Sequence, residues 1–297
     1  MNWTGSIKSF TAYLKLERGM SYNTVVSYQN DLKNLARWAD EKELKPLKFT
    51  SENIRDYLVF LHESGISARS QARALSTLRA LYKYFLIEEW IEIDPTELID
   101  SPKLGRHLPD VLSEADIDKI IGEIDLSTPE GERNRAMLEV LYGCGLRVTE
   151  LVDLQISNLR FNEGYIIVTG KGNKQRIVPI NSAAIKFVGI YKEQIRNHQS
   201  IKKGHEDVLF LNRRGAKLTR VMIFTIIKNL TEKAGIKKKV SPHTFRHSFA
   251  SHMVNRGASL RVVQEMLGHE SITTTEIYTH LNDTKLRETI NKFHPRA

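Results

Sequence analysis

The chain holds a single cysteine, Cys144. That excludes an internal disulfide and a cysteine-built metal cluster, and it makes Cys144 a small apolar packing residue rather than a nucleophile. Long hydrophobic runs are missing too. No stretch approaches the ~18 consecutive apolar residues of a membrane-spanning helix. The N-terminus lacks the charged-then-apolar pattern of a secretory signal. A cytoplasmic protein is expected. No His-Glu-x-x-His motif occurs, and no cluster of acids suited to Mg²⁺ stands out. His243 and His247 are four residues apart, as zinc ligands on a helix can be, but no third ligand has a suitable spacing. Neither a metal nor another cofactor is expected.

Positive charge is what the chain has in excess: 44 Lys and Arg against 35 Asp and Glu, a formal +9. An anionic partner follows, either nucleic acid or an acidic membrane surface. The excess is uneven. Residues 1–105 hold 14 basic and 14 acidic side chains, whereas residues 106–297 hold 30 and 21. With 297 residues to distribute, this break favours two domains of ordinary size. The expected division is a helical domain over 1–100, a linker over 101–109 and a second domain over 110–297. The proline- and glycine-punctuated run Ser101-Pro102-Lys103-Leu104-Gly105-Arg106-His107-Leu108-Pro109 marks the linker.

The first domain reads as all-helical. Phe10, Tyr13 and Leu14 suggest one helix. Val25, Tyr28, Leu32, Leu35 and Trp38 repeat near the 3.6 period of a second, capped by Ser21 or Asn23. Thr50 caps a third, which Gly65 ends. A fourth runs from Ser67 to about Trp90. On it Arg69, Arg73, Arg79 and Lys83 fall within an arc of roughly 120°, opposite Leu75, Leu78, Tyr82 and Phe85. The arc reads equally as a solvated face or as a stripe that faces DNA. No acid on the helix interrupts it.

The second domain is expected to be mainly α with a small β-hairpin. Ser113 with Glu114 and Asp116 starts it. Asn134–Tyr142 is an apolar helix closed by Gly143-Cys144-Gly145. Arg147 follows, with Glu150 three residues on; either the two form a surface pair or Glu150 holds Arg147 from behind. The glycines beside Arg147 permit close approach of a backbone or a phosphate. Residues 164–169 and 175–180 are strand-like around the turn Gly170-Lys171-Gly172-Asn173-Lys174, which carries Lys171 and Lys174 at its tip. Residues 183–240 are expected to be helical, with a polar interruption at Ser200–His205.

The last sixty residues carry the chemistry. Ser241 and Pro242 read as the N-cap and first residue of a helix, which places His243 and Arg246 on one face of its start. Free N–H groups there favour an anion, and a guanidinium adds a two-pronged phosphate clamp. Gly268 ends the next helix, directly before His269. Thr273 and Glu276, in capping-box spacing, start a third short helix that bears Tyr278. Basic groups, a second histidine and a phenol suit attack of a tyrosine on a phosphate.

In order and spacing, Arg147, Lys171, His243, Arg246, His269 and Tyr278 resemble the tyrosine recombinase (phage integrase) family. The motifs behind the resemblance are Gly145-Leu146-Arg147, the hairpin lysine, His243-x-x-Arg246, Leu267-Gly268-His269, and a tyrosine nine residues later. The helical first domain is similar to the family's core-binding, SAM-like domain. The short tail and the context Thr275-Glu276-Ile277-Tyr278-Thr279-His280 look most like the bacterial Xer recombinases. Thr149, Phe245 and Glu270-Ser271 depart from common family residues without removing a reactive group. The resemblance implies a two-domain recombinase that cuts and rejoins double-stranded DNA through a 3′-phosphotyrosine. Tyr278 would be the nucleophile, and Arg147, Arg246 and His269 would hold the phosphate. Lys171 would protonate the leaving oxygen, while His243 would act as base or donor. It implies a heterotetramer with a related Xer recombinase, the FtsK translocase as a further partner, and chromosome dimer resolution at cell division. An integrase or invertase of a mobile element, and a DNA-binding protein without catalysis, are the alternatives. The terminal stripe Leu286, Ile290 and Phe293 must bury somewhere: it could fold back onto its own domain, and the resemblance favours docking on a neighbouring protomer.

Overall fold

The computed structural model describes residues 1–102, 110–170, 173–268 and 281–297, with the backbone alone at 281–285. The chain forms two compact units, Met1–His107 and Leu108–Ala297.

The first unit is built from α1 (Trp3–Leu16), α2 (Tyr22–Asp40), α3 (Ser51–Glu63) and α4 (Ala68–Ile87). Each start is fixed by a side chain that accepts a hydrogen bond from an otherwise unpaired N–H: Asn2, Ser21, Thr50 and Ser67. The apolar face predicted for α4 is buried, with Leu75 and Phe85 fully enclosed. The basic arc on the same helix divides. Arg69 and Lys83 are exposed. Arg73 instead makes a forked pair with Asp31 of α2, at 3.0 and 2.8 Å. Asp31 is 7% exposed and also accepts from Thr77. Arg79 donates to the Ile99 carbonyl and the Ser101 hydroxyl. No acid lies in the arc itself, but a neighbouring helix supplies one. Arg73 thus neutralises a carboxylate that would be costly to bury alone.

The second unit packs around α6 (Pro129–Gly143), whose residues Ala136–Tyr142 are almost wholly enclosed. Against it lie α8 (Ser182–Ile190) and α10 (Pro242–Asn255), with α5 (Glu114–Gly122), α9 (Arg220–Lys233) and α11 (Leu260–Leu267) completing the helical shell. The short α7 (Val148–Val152) follows the turn after α6. Three antiparallel strands, β1 (Leu159–Arg160), β2 (Tyr165–Thr169) and β3 (Gln175–Pro179), form a small sheet in the order β1-β2-β3. In the β2–β3 hairpin Ile166 pairs with Val178 and Thr169 with Gln175. Gly170 N–H closes the turn onto the Lys174 carbonyl at 2.8 Å.

One expectation is corrected. Residues 183–240 are not one interrupted helix. Helical structure ends at His198 and resumes only at Arg220. Between them Asn212 caps a tight turn: its side chain accepts from the Arg214 and Ala216 N–H groups, and Gly215 takes φ +69°. Leu211 and Lys217 consequently pair as an antiparallel bridge. Asparagine and a left-handed glycine outweigh the apolar periodicity there.

The terminal stripe is buried, as its periodicity requires. In the isolated chain α12 (Leu281–Phe293) lies on its own unit, with Leu286 at 4% and Ile290 at 1% exposure and Phe293 packed beside the same core. The tail beyond is anchored as well. Asn181 donates to the Arg296 carbonyl, and Arg296 reaches the buried carboxylate of Glu139 at 3.2 Å. A three-turn helix needs an apolar surface, and its own unit supplies the nearest one. Among the described residues no helix is long and apolar enough to cross a membrane.

His294 gives this anchorage a pH dependence. Its ring packs on Tyr142 at 5.1 Å and Phe249 at 5.6 Å. Its Nδ1 accepts from the Arg296 N–H at 3.0 Å. Burial, reinforced by Arg296 close by, brings its pKa down to about 4. A histidine held neutral below its unfolded pKa of ~6.5 adds stability above that pH, and the contribution is lost as pH falls toward 4. His252, whose Nδ1 shares a 2.8 Å hydrogen bond with the Tyr142 hydroxyl, shifts the same way through burial. Melting temperature is expected to fall between pH 7 and 5 less steeply in His294→Phe than in the wild type. Equal slopes would assign the acid sensitivity elsewhere.

Candidate active site

Four elements of the second unit converge on one carboxylate. The α6–α7 turn brings Arg147, α7 brings Glu150, β3 brings Arg176 and α10 brings Arg246. Glu150 is 2% exposed. One of its oxygens accepts from Arg147 Nη1 at 2.8 Å and Arg176 Nη1 at 2.7 Å. The other accepts from the Arg147 backbone N–H at 2.8 Å and Arg176 Nη2 at 2.9 Å. Arg246 Nη1 stands 3.9 Å away. The surface-pair reading of Arg147 and Glu150 is therefore excluded; Glu150 is the buried anchor. Burial would raise its carboxyl, but Arg176 and Arg147 together hold it below the usual carboxylate range.

The C-terminus of α11 completes the arrangement. Three successive carbonyls there each accept from a different arginine: Met266 from Arg176 Nε at 3.3 Å, Leu267 from Arg246 Nη2 at 2.5 Å, and Gly268 from Arg147 Nη2 at 3.0 Å. These are the oxygens a helix end leaves without intrahelical partners, at the negative pole of its dipole. Gly268 takes φ +63° as the helix cap. A Cβ there would lie 2.9 Å from the Arg176 side chain, so glycine is required on both counts. Arg246 also donates to the Gly145 carbonyl at 2.7 Å. The space left by Gly145 is filled by Phe249 of α10, 2.5 Å from where a Cβ would stand. This glycine serves the protein's own packing rather than the approach of a phosphate.

Three guanidiniums around one carboxylate leave a local excess of two positive charges. Arg246 is 7% exposed, and burial beside Arg147 and Arg176 brings its pKa down to about 10, so it stays charged at neutral pH. The Arg147 side chain is 41% exposed. It can turn unused N–H donors outward, since each guanidinium has five. His243 is exposed at the start of α10, one turn from Arg246, with the His247 ring centroid 6.2 Å away. Lys174 is exposed on the hairpin. Lys171, His269 and Tyr278, like the capping pair Thr273 and Glu276, lie outside the described residues. Among the described residues no group of three His, Cys, Asp or Glu side chains could hold a metal ion.

Arg176 is the residue that sequence reasoning missed. Its signal was its place in β3: it shares a strand face with buried Val178, and a charge that alternates inward requires a buried counter-ion.

Comparison with known proteins matches this arrangement. Residues 110–285 fit the phage integrase family model, and residues 7–89 fit the phage integrase N-terminal SAM-like domain. Tyrosine recombinase XerD of Staphylococcus aureus strain N315 is 42% identical over 292 residues, covering 98% of this chain and 99% of the relative. The site-specific recombinase XerH, solved with a palindromic difH substrate after cleavage, shares the fold. Its TM-score is 0.72 at 22% identity, over 95% of this chain and 83% of that one. Lambda integrase, solved as a tetramer on a Holliday junction, gives 0.71 at 19% identity, over 98% and 78%. With matching models over both units and this identity over nearly its whole length, the chain belongs to the phage integrase family of tyrosine recombinases, on its Xer branch.

Proposed function

We propose that this chain recombines DNA at a specific duplex site, with Tyr278 as nucleophile. The observation that carries the reading is the pair Arg147 and Arg246, locked onto the two carbonyls that directly precede His269. Cleavage is phosphoryl transfer. The Tyr278 oxygen bonds to phosphorus, the bond to the 5′-oxygen of the next nucleotide breaks, and the 3′-phosphotyrosine conserves the bond energy for rejoining. Arg147 and Arg246 neutralise the non-bridging oxygens in a fixed geometry, so little reorganisation accompanies the rise in charge. Nearby cations also favour ionisation of a phenol whose free pKa is ~10. His269 adds a donor, and His243 serves as base or donor at the same phosphate. Lys174 and the exposed Arg69 and Lys83 suit contacts to the DNA backbone; Arg73 and Arg79 would join them only alongside their partners within the fold.

The likeness to XerD supports a role in chromosome dimer resolution in the cytoplasm. A related recombinase in a heterotetramer and an FtsK translocase would be the partners. Within such an assembly α12 would leave its own unit for a neighbour's, exchanging one apolar seat for another.

The test begins with selection of bound duplexes from a random pool. A nicked substrate that carries the recovered site should then yield a covalent protein–DNA species in EDTA, since cationic side chains occupy the place a metal would take. Loss in EDTA with recovery in Mg²⁺ would favour a metal-dependent nuclease. Lys171 has its own test. Lys171→Ala should cleave the ordinary site poorly and a site with a bridging 5′-sulfur well, because a thiolate leaves without protonation. Equal impairment on both would remove Lys171 from the general-acid role.

A further inference from the structure

Arg176 belongs to none of the groups expected to touch the phosphate, yet its side chain is 9% exposed and it shares the Glu150 carboxylate with Arg147. It sits on β3, opposite Val168. Its fork closes on Glu150 at 2.7 and 2.9 Å, and its Nε reaches the Met266 carbonyl. A carboxylate has about four acceptor positions. Glu150 uses four: two for Arg176 and two for Arg147, one of the latter being a backbone N–H.

We propose that Arg176 is a positioning residue that saturates Glu150 and thereby keeps the guanidiniums of Arg147 and Arg246 available to the scissile phosphate. Without it, Glu150 would be a buried anion with two open acceptor positions. Arg246, already within 3.9 Å, and the half-exposed guanidinium of Arg147 are the nearest cations able to fill them. Both would turn inward, and the phosphate would lose donors without any loss of the residues that supply them. The fork matters as well as the charge. A lysine ammonium cannot span both oxygens in one plane and reach Met266 as well.

The inference rests on the reading of this cluster as the DNA-cleaving site, and the experiment separates the two. Single-turnover cleavage of a nicked site is measured at saturating DNA, alongside the dissociation constant from mobility shifts and thermal unfolding. The wild type must form the covalent species; if it does not, the functional reading itself fails. Given that it does, Arg176→Gln is expected to cleave about 10²-fold more slowly, the scale of a small misplacement of catalytic groups, with DNA affinity within about threefold of wild type. Arg176→Gln combined with Glu150→Gln is expected to recover at least about tenfold of that rate, because the competing anion is gone. A merely structural Arg176 would give a double variant no faster than the single one. Should Arg176→Gln not fold, Arg176→Lys, which keeps the charge, is measured against the same criteria with Glu150→Gln as its second change. An unchanged rate at saturating DNA, a defect confined to affinity, or a double variant slower than or equal to the single one overturns the proposal.

Discussion

Tyr278→Phe is expected to bind the selected duplex as tightly as the wild type and to yield no covalent protein–DNA species at any time of incubation. The substitution removes one oxygen and no charge, so the positive charge that attracts DNA is unchanged. If the missing oxygen is the one that bonds to phosphorus, no phosphotyrosine can form at this position. The recovered site in a nicked duplex, resolved on a denaturing gel, reads the result directly. A covalent species that persists in the variant would assign the nucleophile to another residue.

Arg246→Lys should have the next largest effect, and it should act on rate and stability together. Arg246 spans the Gly145 and Leu267 carbonyls with the two arms of one planar group. A lysine has a single ammonium that cannot occupy both positions. A buried carbonyl left without a donor costs about 1–3 kcal/mol, so the melting temperature should fall by several degrees. Loss of a fixed donor at the phosphate should slow cleavage on the order of 10²–10³-fold. Glu150→Gln in the same background should not restore it, in contrast to Arg176→Gln, because here the donor itself is missing. A lysine variant that cleaves within about tenfold of wild type would mean that charge alone, and not the fork, serves at this position.

What could be read in advance was what short-range chemistry decides. Ser241-Pro242 gave the start of α10, and Thr50 and Ser113 the starts of α3 and α5, because each N-cap is settled by one side chain and the N–H it meets; Leu267-Gly268 gave the end of α11, because glycine takes a positive φ without strain. The apolar side of α4 followed from periodicity alone. Contacts across long sequence distances were not legible. The Arg73–Asp31 pair joins residues 42 apart, and Arg147 meets the Gly268 carbonyl across 121. The arc on α4 therefore looked free of acids when one of its members was already paired. Glu150 could be named as a partner of Arg147, but its burial, which turns a surface pair into an anchor for three arginines, depends on α10, α11 and β3 all arriving at one point. The destination of α12 was open for a similar reason. Its stripe predicts that it must bury, and only the shape of the surrounding unit decides against what.

The most direct measurement is the chemical identity of the covalent link. Wild-type protein is trapped on a nicked duplex that carries its selected site, digested with protease, and the DNA-linked peptide is sequenced by mass spectrometry. The predicted result is a nucleotide joined through its 3′-phosphate to Tyr278. A link to any other residue, or through a 5′-phosphate, would contradict the account.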